Sequence, residues 1–129
     1  MKDNVALVVV SHSRAIANGT RDMVRQMVGD EVDVFACGGD VEGGLGTNLA
    51  EILDALKAAY RPKGVLICVD LGGAETNSEM AIEMMPPDQR QNIRICDAAI
   101  VEGAIMAGTE AASGASLDEV QRAAEEYKS

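Results

Sequence analysis

The segment spanning residues 5–10, from Val5 to Val10, restricts this chain most, because its six consecutive apolar residues leave no polar face. A strand touching water on one side would alternate, whereas an unalternating one has to be covered on both faces. That is the situation of a strand inside a parallel sheet layered between helices. Residues 32–36 form a weaker, alternating run, Val65–Val69 is again continuously apolar, and Ile93–Cys96 is a short fourth strand. Between these runs the apolar residues change to helical spacing. Ile16, Thr20, Met23, Val24 and Met27 make one stripe, closed by Gly29. Leu49, Ile52, Leu53 and Leu56 make a second, stopped near Arg61 and Pro62. Thr76 and Glu79 have capping-box spacing and predict a third helix from Thr76 to the prolines at 86 and 87. Ile100–Ala112 predicts a fourth. A box at Ser116 and Glu119 opens a fifth, with Leu117, Val120, Ala124 and Tyr127 on one face.

Strand and helix in repeated alternation predict a single α/β domain over residues 1–129, with three layers around an open parallel sheet of about four strands. Aromatics make up only 2% of the chain, so a core drawn from its 47% hydrophobic residues has to use Val, Ile, Leu, Ala and Met. The methionines on the helices are therefore expected in the core. Cys37, Cys68 and Cys96 are odd in number and widely spaced, which fits neither a disulfide framework nor a metal site. They read as reduced thiols of a cytoplasmic protein. No apolar run reaches the length of a membrane span or signal segment, so no membrane partner is expected. The net charge of −10 lacks the basic face that nucleic acid requires.

In open α/β sheets the chemistry gathers at the carboxyl ends of the strands, where strand order reverses. Here the first strand runs into Ser11, His12, Ser13 and Arg14, and the third into Asp70, Leu71, Gly72 and Gly73. If these strands are neighbours, as in flavodoxin-like order, the only histidine and Asp70 come within reach of one another. A carboxylate there would fix the imidazole tautomer and leave the second nitrogen free as a nucleophile. The helix starting near Arg14 would point its free amides at an anion on that nitrogen. Ser11 or Ser13, the amides at Gly72 and Gly73, and Thr47 would add donors. The residues alone also allow His12 to be an exposed or capping histidine and Asp70 to be a helix cap. Gly38, Gly39, Gly43, Gly44 and Gly46 read as a mobile loop, functional or simply long. No glycine-rich nucleotide-binding pattern follows any strand, so no cofactor is expected and ATP binding by this chain is not.

The segments Val8 to Ser13, Gly46-Thr47, Asp70 to Ala74, Val101 to Ala104 and Ala111 to Ala115 keep an order and spacing that resembles the DhaM family. These are the phosphotransferase subunits of bacterial dihydroxyacetone kinases. The resemblance implies a fold like mannose-type enzyme IIA domains and a place in the phosphoenolpyruvate-dependent phosphotransferase system (PTS). It implies that His12 is phosphorylated by the carrier protein HPr and oriented by Asp70, with Gly46, Thr47, Gly72 and Gly73 lining the site. It further implies transfer to ADP held in DhaL, which works with DhaK, and pairing as a homodimer. An apolar surplus on the fourth strand and terminal helices would be consistent with such pairing. Gly73 stands where relatives often carry Ser, and residues 97–100 depart from a more usual Pro-containing segment. Because the chain ends at Ser129 without fused donor domains, its phosphoryl donor is expected to be a separate protein.

The competing readings differ in chemistry. A mannose-type IIA domain of sugar uptake would share the His12 chemistry but donate to a IIB domain. A flavodoxin-like redox protein would need a hydroxyl-rich loop and stacking aromatics, and the chain's aromatics are Phe35, Tyr60 and Tyr127. A receiver domain would carry an acidic pair after the first strand, and a histidine phosphatase a second histidine. A non-catalytic binding module would leave His12 incidental.

Overall fold

The computed structural model describes residues 3–128. Four parallel strands, β1 (Ala6–Ser11), β2 (Val34–Gly38), β3 (Val65–Val69) and β4 (Ile93–Cys96), form one sheet in the order β2-β1-β3-β4. Helix α1 (Arg14–Val28) links β1 to β2, and α2 (Leu49–Ala59) links β2 to β3. Helices α3 (Gly72–Glu83) and α4 (Pro87–Arg90) precede β4, and α5 (Ile100–Ala112) and α6 (Leu117–Glu125) follow it. The expected flavodoxin-like order is present. β1 lies at the centre, paired on one side from Leu7 opposite Val34 and on the other from Ala6 opposite Val65. Among the described residues no helix is long and apolar enough to cross a membrane.

The unbroken apolar character of β1 follows from its position. Leu7 and Val9 face a core shared with α1, α5 and α6, while Ala6, Val8 and Val10 face a second core shared with α2 and α3. All five are fully buried, and each large aliphatic side chain so buried stabilises the fold by about 1.5–3 kcal/mol. Helices come close to the sheet because α5 presents Gly103, Ala104, Ala107, Gly108 and Ala111 inward. A Cβ at Gly108 would sit 2.5 Å from a Val24 methyl, so this crossing of α1 and α5 exists only with hydrogen there.

Several boundaries agree with the sequence and several do not. β3 and β4 fall where expected, and Gly29 ends α1 with φ of 60° and its amide on the Arg25 carbonyl. The box of Ser116 and Glu119 caps α6 in both directions. β2 begins two residues later than expected because a 3-10 turn, Gly29–Glu31, follows α1. The third helix starts at Gly72, not Thr76: the Thr76 hydroxyl, four residues in, donates to the Gly72 carbonyl instead of capping. Tyr127 lies beyond α6 and is exposed. The methionines correct a broader expectation. Met85 is buried, but Met23, Met27, Met80 and Met84 are each about half exposed or more, because these surface helices bury a narrower stripe than their spacing suggests. The apolar residues of β4, α5 and α6 largely serve the chain's own core, so they give no argument for pairing with a second copy.

Candidate functional site

The carboxyl ends of β1 and β3 meet at His12 and Asp70. Asp70 Oδ1 lies 3.0 Å from His12 Nδ1 and accepts the Leu71 amide at 2.6 Å. Its Oδ2 accepts the Ser11 hydroxyl at 2.7 Å and the His12 amide at 2.9 Å. Burial pushes the Asp70 carboxyl up, but the Ser11 hydroxyl, the His12 amide and ring, and the Leu71 amide together outweigh it and hold the group below its ordinary value. An ionised carboxylate only accepts, so Nδ1 is the protonated nitrogen and Nε2 carries the lone pair. The ring stays reachable, with 28% of its side chain exposed against 17% for Asp70.

Nε2 points toward the first turn of α3. A Cβ built on Gly73 would stand 3.0 Å from it, so glycine lets the helix backbone approach the ring. As first-turn residues, Gly72 and Gly73 have amides without acceptors inside the helix, and the helix dipole adds partial positive charge there. The anion-favouring helix end against Nε2 is thus that of α3. The sequence had pointed to the start of α1, with the Gly72 and Gly73 amides as added donors; at the start of α1 the Ser13 hydroxyl accepts the Ile16 amide.

Other predicted residues divide between the ring and its supports. Ser11, fully buried, holds Asp70 and accepts the Ser13 amide at 3.0 Å, so its hydroxyl is spent on the scaffold. Gly46 donates its amide to the His12 carbonyl at 2.8 Å. Thr47 Oγ1 accepts from Asn77 Nδ2 at 2.6 Å. The glycine loop leading there is tied rather than free: Asp40 Oδ1 accepts the Glu42 and Gly44 amides, and the Asp40 amide donates to the Gly44 carbonyl. Gly38 brings β2 against the His12 turn, since a Cβ there would meet Arg14 Cα and the Ser11 and Ser13 carbonyls at 2.9 Å each. Glu51 closes this corner, accepting the Gly38 amide and pairing with Arg14 at 3.1 Å.

The sequence missed Asn77. Its signal was the i, i+4 relation to Gly73, which is legible only once the helix is known to start at Gly72. Among the described residues no group of three His, Cys, Asp or Glu side chains is placed to hold a metal ion. Cys68 and Cys96 are buried 3.8 Å apart on neighbouring strands, and burial first, then Glu51, pushes the Cys37 thiol up to about 12.

Residues 6–121 match the EIIA-man family, the PTS system fructose IIA component. The chain belongs to that family. It is also similar to the phosphoryl donor subunit DhaM of PEP-dependent dihydroxyacetone kinase 2 from Listeria innocua, 35% identical over 82% of this chain and 85% of that one. The DhaM phosphoryl donor subunit of Escherichia coli is 34% identical over 90% of this chain. Relatives differ in length: this chain spans 25% of the E. coli protein but most of the Listeria one. Among solved structures, a protein of unknown function superposes with a TM-score of 0.84 at 32% identity, covering 95% of this chain and 93% of that one. The resemblance to DhaM subunits expected from the motifs is therefore present over most of the chain.

Proposed function

We propose that the chain is a phosphohistidine carrier of the DhaM kind, accepting a phosphoryl group on His12 Nε2 from HPr and passing it to ADP bound in DhaL, which acts with DhaK on dihydroxyacetone. The observation that carries this reading is the division of labour on the ring: Nδ1 is tied to Asp70 while Nε2 lies open against Gly73. In the first step the Nε2 lone pair bonds to the donor's phosphorus as the donor's own bond to it breaks, the electron pair leaving with the donor. The Nδ1 proton stays in place, and Asp70 stabilises the positive ring that results. The phosphoryl oxygens meet the first turn of α3, where the Gly72 and Gly73 amides and the helix dipole favour an anion. In the second step an oxygen of the ADP β-phosphate attacks phosphorus and Nε2 keeps the pair. Neither step needs a covalent role for any other side chain, because phosphoryl transfer depends on positioning and charge stabilisation.

The family match also favours a second acceptor, a IIB domain of sugar uptake, with the same His12 chemistry. A homodimer, the assembly implied by the resemblance, would have to use surface outside the core, such as the exposed Ile16, Met23 and Met27 of α1. The test of the acceptor is direct. The protein, phosphorylated with phosphoenolpyruvate, enzyme I and HPr, is divided between DhaL–ADP and a IIB domain. Formation of ATP in the first tube, with the group retained in the second, supports the DhaM reading. Faster loss to IIB overturns it.

A further inference from the structure

The contact between α3 and the loop before α2 belongs to neither the ring nor its carboxylate, yet both of its partners follow closely on residues that touch His12. Gly73 faces Nε2, and Asn77 follows it by four residues, one helical turn along the same face of α3. From that face Asn77 Nδ2 donates to Thr47 Oγ1 at 2.6 Å. Thr47 is held to the same place from the other side, because its neighbour Gly46 donates to the His12 carbonyl at 2.8 Å. Each partner is thus one step from a residue that touches His12, Asn77 one helical turn beyond Gly73 and Thr47 next to Gly46.

A threonine hydroxyl has one proton and two lone pairs. With a lone pair taken by the Asn77 amide, the proton is not spent on that contact and has to find another acceptor. We propose that Asn77 is a positioning residue of the phosphoryl site: it fixes Thr47 so that the hydroxyl proton is donated to a phosphoryl oxygen on Nε2. The inference rests on the His12 phosphorylation proposed above and adds to it the source of a side-chain donor. Thr47 would then supply the hydroxyl that Gly73 lacks.

The consequences differ between substitutions. Thr47→Val removes the donor and keeps the shape; a hydrogen bond to a charged group is worth enough for about a tenfold slower phosphorylation by HPr. Thr47→Ser restores the rate. Asn77→Ala frees the hydroxyl to rotate and slows the reaction several-fold, whereas Asn77→Asp is worse, because its carboxylate captures the Thr47 proton and repels the incoming phosphoryl group.

The experiment measures phosphorylation rates by HPr and the 31P resonance of the phosphorylated protein for each variant and for the Asn77→Ala/Thr47→Val pair, with circular dichroism as the check on folding. The expected result is that Asn77→Ala shifts the resonance and slows transfer in the Thr47 protein but does neither in the Thr47→Val protein. Equal losses in both backgrounds, or none in either, overturn the inference while His12 labelling of the unsubstituted protein still stands. If the unsubstituted protein takes no phosphoryl group on His12, the carrier reading fails and this inference with it.

Discussion

Replacing Asp70 by Asn tests the site at its most connected atom pair. The carboxylate receives four donors, two on each oxygen: the His12 ring and Leu71 amide on Oδ1, the Ser11 hydroxyl and His12 amide on Oδ2. An amide keeps one oxygen and turns the other into a donor, so two of the four partners face an NH2 whichever way it lies. If the NH2 faces the ring, Nδ1 has to accept, the proton moves to Nε2, and the nucleophilic lone pair is gone. If it faces the other way, the Ser11 hydroxyl can turn; in either orientation one backbone amide is stranded, that of Leu71 in the first and that of His12 in the second. That costs about 1–3 kcal/mol, a noticeable share of a typical 5–15 kcal/mol stability but short of unfolding. With the NH2 toward the ring, phosphorylation should fall by about a hundredfold or more, the scale expected when a catalytic imidazole loses its tautomer; with it turned away the tautomer is kept, but the charge that stabilises the positive ring is gone and the rate still falls. Stopped labelling with excess phospho-HPr gives the rate, and urea denaturation gives the stability. A variant with a normal phosphorylation rate would refute the reasoning and leave Asp70 as a structural cap.

The same carboxyl makes a pH prediction: its folded value lies below its ordinary one, so its contribution is complete above the ordinary carboxylate range and is lost as pH falls through the lowered value. The difference in unfolding free energy between the parent and Asp70→Asn should therefore shrink on acidification below pH ~4; a difference that grows would reverse the sign of the argument. Gly73→Ala should separate activity from stability, because a helical Ala is favoured over Gly by about 0.5–1 kcal/mol while its Cβ crowds Nε2. Phosphorylation about tenfold slower in a protein that melts no lower is the expected pattern. Gly108→Ala should do the reverse, losing about 1–3 kcal/mol in denaturation by pressing on Val24 with the His12 chemistry intact. The three buried thiols should resist iodoacetamide in the native protein and react once it is unfolded; rapid native labelling of Cys37 would contradict its raised value.

The sheet was legible because burial on both faces leaves a plain record: β1 is apolar from Ala6 to Val10, and the residues at and after its end are conspicuous for being polar. His12 and Asp70 were found by that contrast together with strand order. The start of α3 was not legible, since two glycines ordinarily speak for a loop, and the features that fix the turn here, the Asp70 carboxylate on the Leu71 amide and the ring against Gly73, are tertiary. Missing those four residues hid that the Gly72 and Gly73 amides belong to a helix end, and with it the relation of Asn77 to Gly73. The loop before α2 misled in the opposite direction. Its glycines suggested freedom, while the Asp40 side chain that gathers its amides leaves no mark distinct from any other aspartate. Half-exposed methionines escaped for a similar reason, because periodicity locates a helix face without saying how wide the covered stripe is.

The claim on which everything else depends is that Nε2 of His12 is the atom that takes the phosphoryl group. The protein labelled with 15N-histidine has a single imidazole to observe, so phosphorylation through enzyme I and HPr can be followed by two-dimensional 15N–1H correlation alongside acid-lability of the label. The expected product is a phosphorus-bonded Nε2 with the Nδ1 proton retained, and no label in His12→Ala; phosphorus on Nδ1, or a label that survives that substitution, would contradict the assignment.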